Sequence, residues 1–320
     1  MHRDPIQPAP QSVTHRQHVV PVQYLCNFSQ GMNPQRNTAQ CFVIRKQPTT
    51  EGFRLEVQRE QPVLASSICF IEHFYEVQGL PPNHIEHEVH PSFESTETQR
   101  ALRHFRLTTP EHLRLNPDLK RRLAQFIAYQ HCRGLAVRDL TSARDLLCAS
   151  HRRVTPSQAE ALVKAKAVGS DVRELQRWIR YAAMRLLITE PGANLPFYTS
   201  DNPVITINFE DGVVKGAGLC MPAILEPGWG TCLLVPLAPC VALFANLDVP
   251  ASAQASGTGK PAVVEPALVE AFNHILIHQA TRTVVADRPF PSRLVTQAWS
   301  GLSTAARRQA LVDVFKTVQA

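Results

Sequence analysis

The feature that most constrains this chain is a change of hydrophobic period around Pro191 and Gly192. Ahead of it, the run LKRRLAQFIAYQHCRGL that follows Asp118 sets Leu119, Leu123, Phe126, Ile127 and Gln130 on one side of a helix. The basic triplet Lys120, Arg121 and Arg122 falls on the other side. After it, PFYTSDNPVITINF and GTCLLVPLAPCVALFAN are rich in β-branched and aromatic residues, the texture of strands. Helices followed by strands, without regular alternation, predict an α+β fold. The expected architecture is a helical N-terminal half packed on a small mixed β-sheet formed largely by the C-terminal half.

Punctuation residues place the elements. Pro21 opens a short helix that carries Tyr24, Leu25 and Phe28, after a strand or loop. Alternating residues on both sides of Gly52, CFVIRKQ and FRLEVQRE, predict a hairpin. A helix is expected from Glu94 to Leu107. Thr109 before Pro110 and Glu111, and Asn116 before Pro117 and Asp118, are helix starts that join a capping side chain to a first-turn proline and an acid. Thr155 and Pro156 open another, and Ser170 with Asp171 opens one expected to run to Ile188. Pro203, Pro236 and Pro239 mark strand starts or edges. A helix from Val263 to about Thr281, a TVVA strand and a last helix from Leu294 to Val318 complete the expectation. Residues 1–14 read as a polar, Pro-rich tail, 15–290 as a single α+β domain, 291–320 as the C-terminal helix, and 251–261 as a flexible loop.

The 320 residues are 44% hydrophobic and 19% charged, which places the chain with globular proteins and away from disordered ones. The net charge of +6 is unevenly spread: residues 100–185 hold 18 basic and 7 acidic side chains. A basic helical surface of this kind attracts nucleic acid or another polyanion by its summed field, or else is a set of solvated arginines on amphipathic helices. The eight cysteines form no C-x-x-C pair, which argues against a zinc ribbon or a thioredoxin-like site. The start MHRDPIQPAP lacks an apolar core, so reduced thiols and a cytoplasmic location are expected, and no apolar stretch is long enough to span a bilayer. HIEHEVH puts His84, His87 and His90 three apart as a weak metal stripe; no metal site is assigned, and cofactors and oligomeric state stay open. The GTGK string near Gly259 lacks the rest of a P-loop.

Five blocks in order carry a family resemblance. They are HVVPVQYLCNF with His18, Pro21, Tyr24, Leu25 and Phe28; Phe126, Ile127, Ala128, Gln130 and Arg133; TSDNPV from Thr199 to Val204; VPLAP from Val235 to Pro239; and Asn273. Together they resemble the domain-of-unknown-function family 4238, over about residues 15 to 287. The chain departs from that signature at Gln17, where the first of two histidines is usual, and at His73, where an Asp is common. The resemblance implies no activity, since the family is named for lacking an assigned one.

The motif residues themselves admit two readings. In the first, His18 and Asp201 are acid/base residues, Arg133 contacts an anion, and Tyr24, Gln130 and Asn202 position a substrate. That set suits hydrolysis of a nucleic acid or another phosphodiester. In the second, the chain is a non-catalytic binding or interaction module in which the same residues are structural. Asp201 and Asn202 before Pro203 then form an Asx turn. His18 caps the helix that follows it, and Gln130 with Arg133 locks helix to sheet.

Overall fold

The computed structural model describes residues 16–31, 35–50, 52–57, 61–72, 74, 95–150, 170–190, 192, 194–210, 213–217, 231–250 and 260–296. The tail at 1–14, the helix after Thr155, the 251–259 loop, the HIEHEVH stripe and most of the C-terminal helix lie outside the described residues. The fold is α+β, with six helices and three sheets among the described residues.

The N-terminal part supplies strands as well as helices, which corrects the expected division into halves. A short β1 (Arg16–His18) leads into α1 (Val22–Leu25) and a 3-10 turn at Cys26–Phe28. The hairpin β2 (Gln40–Thr49) and β3 (Gly52–Val57) closes at Gly52, whose φ of 150° lies on the positive side that glycine tolerates. Two short strands follow, β4 (Val63–Leu64) and β5 (Phe70–Glu72). The helices occupy the middle of the chain: α2 (Thr96–Leu107), α3 (Pro117–Ser150) and α4 (Ser170–Tyr181). Their starts follow the caps. Ser95 Oγ accepts from the Thr98 amide at 3.3 Å, and Asn116 Oδ1 accepts from Leu119 at 2.8 Å ahead of Pro117.

The helix expected to run to Ile188 stops at Tyr181, and Ala182–Thr189 is strand β6. Helical spacing ends at Ile179, since Val172, Leu175 and Ile179 line the buried side of α4. Residues 182–188 are apolar almost throughout, as a strand covered on both faces must be. Then come β7 (Thr199–Ser200), β8 (Ile205–Glu210), β9 (Val213–Ala217), β10 (Thr231–Ala238), β11 (Val241–Pro250), β12 (Ala262–Val264), α5 (Pro266–Gln279), β13 (Thr283–Ala286) and α6 (Ser292–Thr296). Pro236, expected at a strand start or edge, lies inside β10. The pairing to β8 has already ended at Leu234, and the register to β11 slips just beyond, between Pro236 and Ala238.

The large sheet runs β12-β6-β11-β10-β8-β9, antiparallel except for the β12–β6 pair. A second sheet, β3-β2-β13-β7 with β4 on β2, joins N- and C-terminal strands, so β2 lies against β13 although more than 230 residues separate them. The third is the β1–β5 pair.

Alternation along the strands divides the core in two. Met184, Leu186, Ile188, Leu233, Val235, Val241 and Leu243 pack with residues of α1 to α4. Leu187, Leu234, Ala242 and Phe244 pack with Val269, Phe272, Ile275 and Leu276 of α5. The central strands are therefore buried on both faces by helices. Each side chain so buried contributes about 1.5–3 kcal/mol. Leu243→Ala in β11 is expected to cost about 2–5 kcal/mol in urea unfolding; a loss below about 1 kcal/mol would contradict this packing.

Candidate functional site

Each of His18, Tyr24, Gln130, Arg133, Asp201 and Asn202 meets a backbone group. Tyr24, fully buried on α1, donates its hydroxyl to the Pro236 carbonyl of β10 at 2.6 Å. Its proton is thereby used, so the 2.9 Å contact with Thr199 Oγ1 on β7 runs from the threonine hydroxyl to the phenol oxygen. Burial drives the Tyr24 phenol far above its ordinary range.

On α3, Gln130 Nε2 donates to the Val19 carbonyl at 2.8 Å, and Arg133 Nη2 donates to the His18 carbonyl at 2.7 Å. Three residues apart, the two side chains lie on one helix face and grip adjacent carbonyls. The Arg133 guanidinium stacks over the Tyr129 ring, 4.9 Å from its centroid, and is 2% exposed. Gln130 Oε1 is buried with no hydrogen-bond partner among the described residues. The His18 ring is half-buried, with Nε2 3.1 Å from the Ser66 carbonyl and its edge toward Phe70. It thus meets a carbonyl 48 residues away rather than capping α1.

Asp201 follows β7 and is 6% exposed. Its Oδ1 accepts from the Thr281 amide at 2.9 Å, and its Oδ2 accepts from Arg282 at 2.7 Å and Thr283 at 3.2 Å. Its own amide donates to the Thr283 carbonyl at 3.1 Å. An Asx turn would bond the carboxylate to amides nearby in sequence. The observed partners are 80 to 82 residues away. Asn202 Nδ2 reaches the Gln279 carbonyl at 3.4 Å, and the Asn202 amide donates to Ser200 Oγ at 3.1 Å. Among the described residues, the side-chain hydrogen bonds of Asp201 run to the amides of Thr281, Arg282 and Thr283, those of Arg133 and Gln130 to the carbonyls of His18 and Val19, and that of His18 to the Ser66 carbonyl.

Lys46, absent from the sequence-derived set, completes the arrangement. Its Nζ donates to the carbonyls of Ile277, His278 and Ala280 at 3.3, 2.6 and 2.9 Å, and lies 4.0 Å from the centroid of the Phe53 ring. The ammonium caps the C-terminus of α5, where unpaired carbonyls and the helix dipole both favour a cation. Burial nevertheless lowers the Lys46 pKa to about 8, opposed by the Asp201 charge. Lys46 thus takes the carbonyls at the end of α5, while Asp201 takes the amides that lead into β13.

Two asparagines act in the same way. Asn27 Nδ2 donates to the carbonyls of Leu102 on α2 and Leu237 on β10, at 2.8 and 2.9 Å. The sequence offered one signal for it, a lone amide inside the apolar string YLCNF. Asn273 on α5 accepts from the Tyr198 amide at 2.8 Å and donates to the Pro196 carbonyl at 2.7 Å.

Among the described residues no three His, Cys, Asp or Glu side chains are grouped as a metal would require. Cys26, Cys41, Cys69 and Cys240 are free thiols, and burial raises each above its ordinary pKa, which disfavours a thiolate nucleophile. Among the described residues no helix is long and apolar enough to cross a membrane.

Burial raises the Asp201 carboxyl from 3.8 to about 6, against the pull of three amides and Lys46. The folded chain then holds this proton more tightly than the unfolded chain, so Asp201's contribution to stability falls as pH rises from about 4 to about 6. Asp201→Asn is expected to remove that slope from the pH dependence of the melting temperature. An unchanged slope in the variant would contradict the assignment.

Neither the curated proteins nor the solved structures contain a match to this chain. The model of one family, described as a protein of unknown function (DUF4238), matches residues 16–289. That span contains α1 and the α3 lock, the turn after β7 and the α5–β13 junction, and the chain belongs to the DUF4238 family.

Proposed function

We propose that the chain is a non-catalytic binding module whose motif residues hold the fold and whose partner is a polyanion such as a nucleic-acid backbone. The observation that carries the first part is the state of Asp201: buried, with both oxygens on main-chain amides. Phosphodiester hydrolysis by His18 and Asp201, the other reading of these residues, needs a carboxylate with a lone pair aimed at water or substrate. Tyr24, Gln130, Arg133 and Asn202 likewise reach carbonyls.

The basic middle of the chain supplies the partner surface, although only part of its charge is available. Arg121 and Arg122 pair with Asp118, and Arg122 also with Glu97. Arg106 donates to the carbonyls of Ser29 and Gly31. On α4, by contrast, Arg173, Arg177 and Arg180 are exposed at i, i+4 and i+7 and form no ion pair among the described residues, and Tyr181 beside them is 64% exposed. A stripe of guanidiniums with a terminal aromatic suits phosphates with an unstacked base. Glu174 is the one acid exposed on that helix among the described side chains.

The test is anisotropy of a labelled single-stranded RNA from about 50 mM to about 200 mM salt, with product analysis of the same mixtures. Reversal of all three arginines to glutamate is expected to weaken binding at least about tenfold and flatten the salt slope by about 2 to 3, with the melting temperature nearly unchanged. Affinity equal to wild type would contradict the surface. RNA cleavage that disappears in a folded His18→Ala variant would contradict the non-catalytic reading.

A further inference from the structure

The α4 stripe ends on an aromatic ring. Arg173, Arg177 and Tyr181 stand at i, i+4 and i+8, so Arg177 and Tyr181 are neighbours on one helix face, their Cβ atoms about 5–6 Å apart. Tyr181 is exposed, whereas Ile179 before it and Ala182 after it are buried. A bare ring therefore rises from a backbone that is held where α4 becomes β6.

The cations beside it are uncommitted. Among the described residues, the guanidiniums of Arg173, Arg177 and Arg180 form neither an ion pair nor a hydrogen bond. Arg180 lies 6.0 Å from the Tyr181 ring centroid, and no other ring or cation meets that ring among the described residues. Glu174, one turn before Arg177, is exposed and forms no ion pair with it. That acid sits about 10 Å along the helix axis from Tyr181, so the charged groups of α4 nearest the ring are Arg177 and Arg180.

Arginines do not choose between forms of a nucleic acid. They meet the phosphates of a duplex and of a single strand alike, and so supply affinity without selecting either. The ring selects. In a duplex each base is covered above and below by its neighbours, whereas in a single strand a splayed base lays its face on an aromatic side chain while the adjoining phosphate stays on nearby cations. Resting on the polyanion reading of α4, we infer that the partner is single-stranded nucleic acid, with Tyr181 stacking one base and Arg177 and Arg180 holding the phosphate beside it.

Anisotropy of the full chain with three probes tests this: a single-stranded RNA without internal pairing, a double-stranded RNA of the same length, and inorganic polyphosphate as a competitor that carries no bases. At matched salt the single strand is expected to bind at least about fivefold tighter than the duplex. Tyr181→Ala should abolish that preference. Its single-strand affinity should fall at least about fivefold, by the same factor at about 50 mM and about 200 mM salt, because stacking releases no counterions. Affinity for the duplex and for polyphosphate should not change, and Tyr181→Phe, which retains the ring face, should retain the preference. A single-strand affinity untouched by Tyr181→Ala, an equal loss on all three probes, or a duplex bound as tightly as the single strand would overturn the stacking role. Binding that the triple arginine reversal removes but Tyr181→Ala leaves intact defeats this inference alone. Binding to none of the probes defeats the polyanion reading along with it.

Discussion

A buried carboxylate and a half-buried ammonium hold the turn from α5 to β13 by its two electrical ends. Lys46 satisfies carbonyls that α5 leaves open, and Asp201 satisfies three consecutive amides that lead into β13, the last of them buried. Such amides are costly to leave unpaired, on the order of 1–3 kcal/mol each. Because Lys46 comes from β2 and Asp201 from the end of β7, the turn ties together three segments that are far apart in the chain. The strand it leads into, β13, pairs with β2 on one side and β7 on the other and so unites the second sheet.

The other polar contacts repeat the same physics at smaller scale. Tyr24 ties α1 to β7 and β10, Asn27 ties α2 to β10, and Gln130 with Arg133 ties α3 to the end of β1 and the residue after it. Apolar packing is non-directional and would allow helices to slide over the sheet. A polar side chain that must find one particular carbonyl forbids sliding, since a missed contact strands a buried group. The five sequence blocks that mark the family therefore coincide with its fixed points. Residues that hold a fold and residues that carry chemistry leave the same imprint in a single sequence.

What was legible followed local rules. The start of α3 was set by Asn116 and Pro117, the β2–β3 hairpin by alternation around Gly52, and β13 by the TVVA string. Strand β6 was missed because a continuous apolar run is compatible with either element, and only its place between β11 and β12 decides it. The joining of β2 to β13 and the partners of Asp201 lay beyond reach for another reason: both depend on contacts 80 or more residues apart, which no local pattern encodes. Lys46 was invisible in the same way, as one cation in a strand that alternates ordinarily.

The central claim, that Asp201 serves as a main-chain acceptor, is tested most directly by native-state hydrogen exchange at Thr281, Arg282 and Thr283. The account predicts that these three amides exchange about as slowly as those of the central strands, and orders of magnitude faster in a folded Asp201→Ala protein. Rapid exchange in the unaltered chain, or slow exchange that survives removal of the carboxylate, would contradict it.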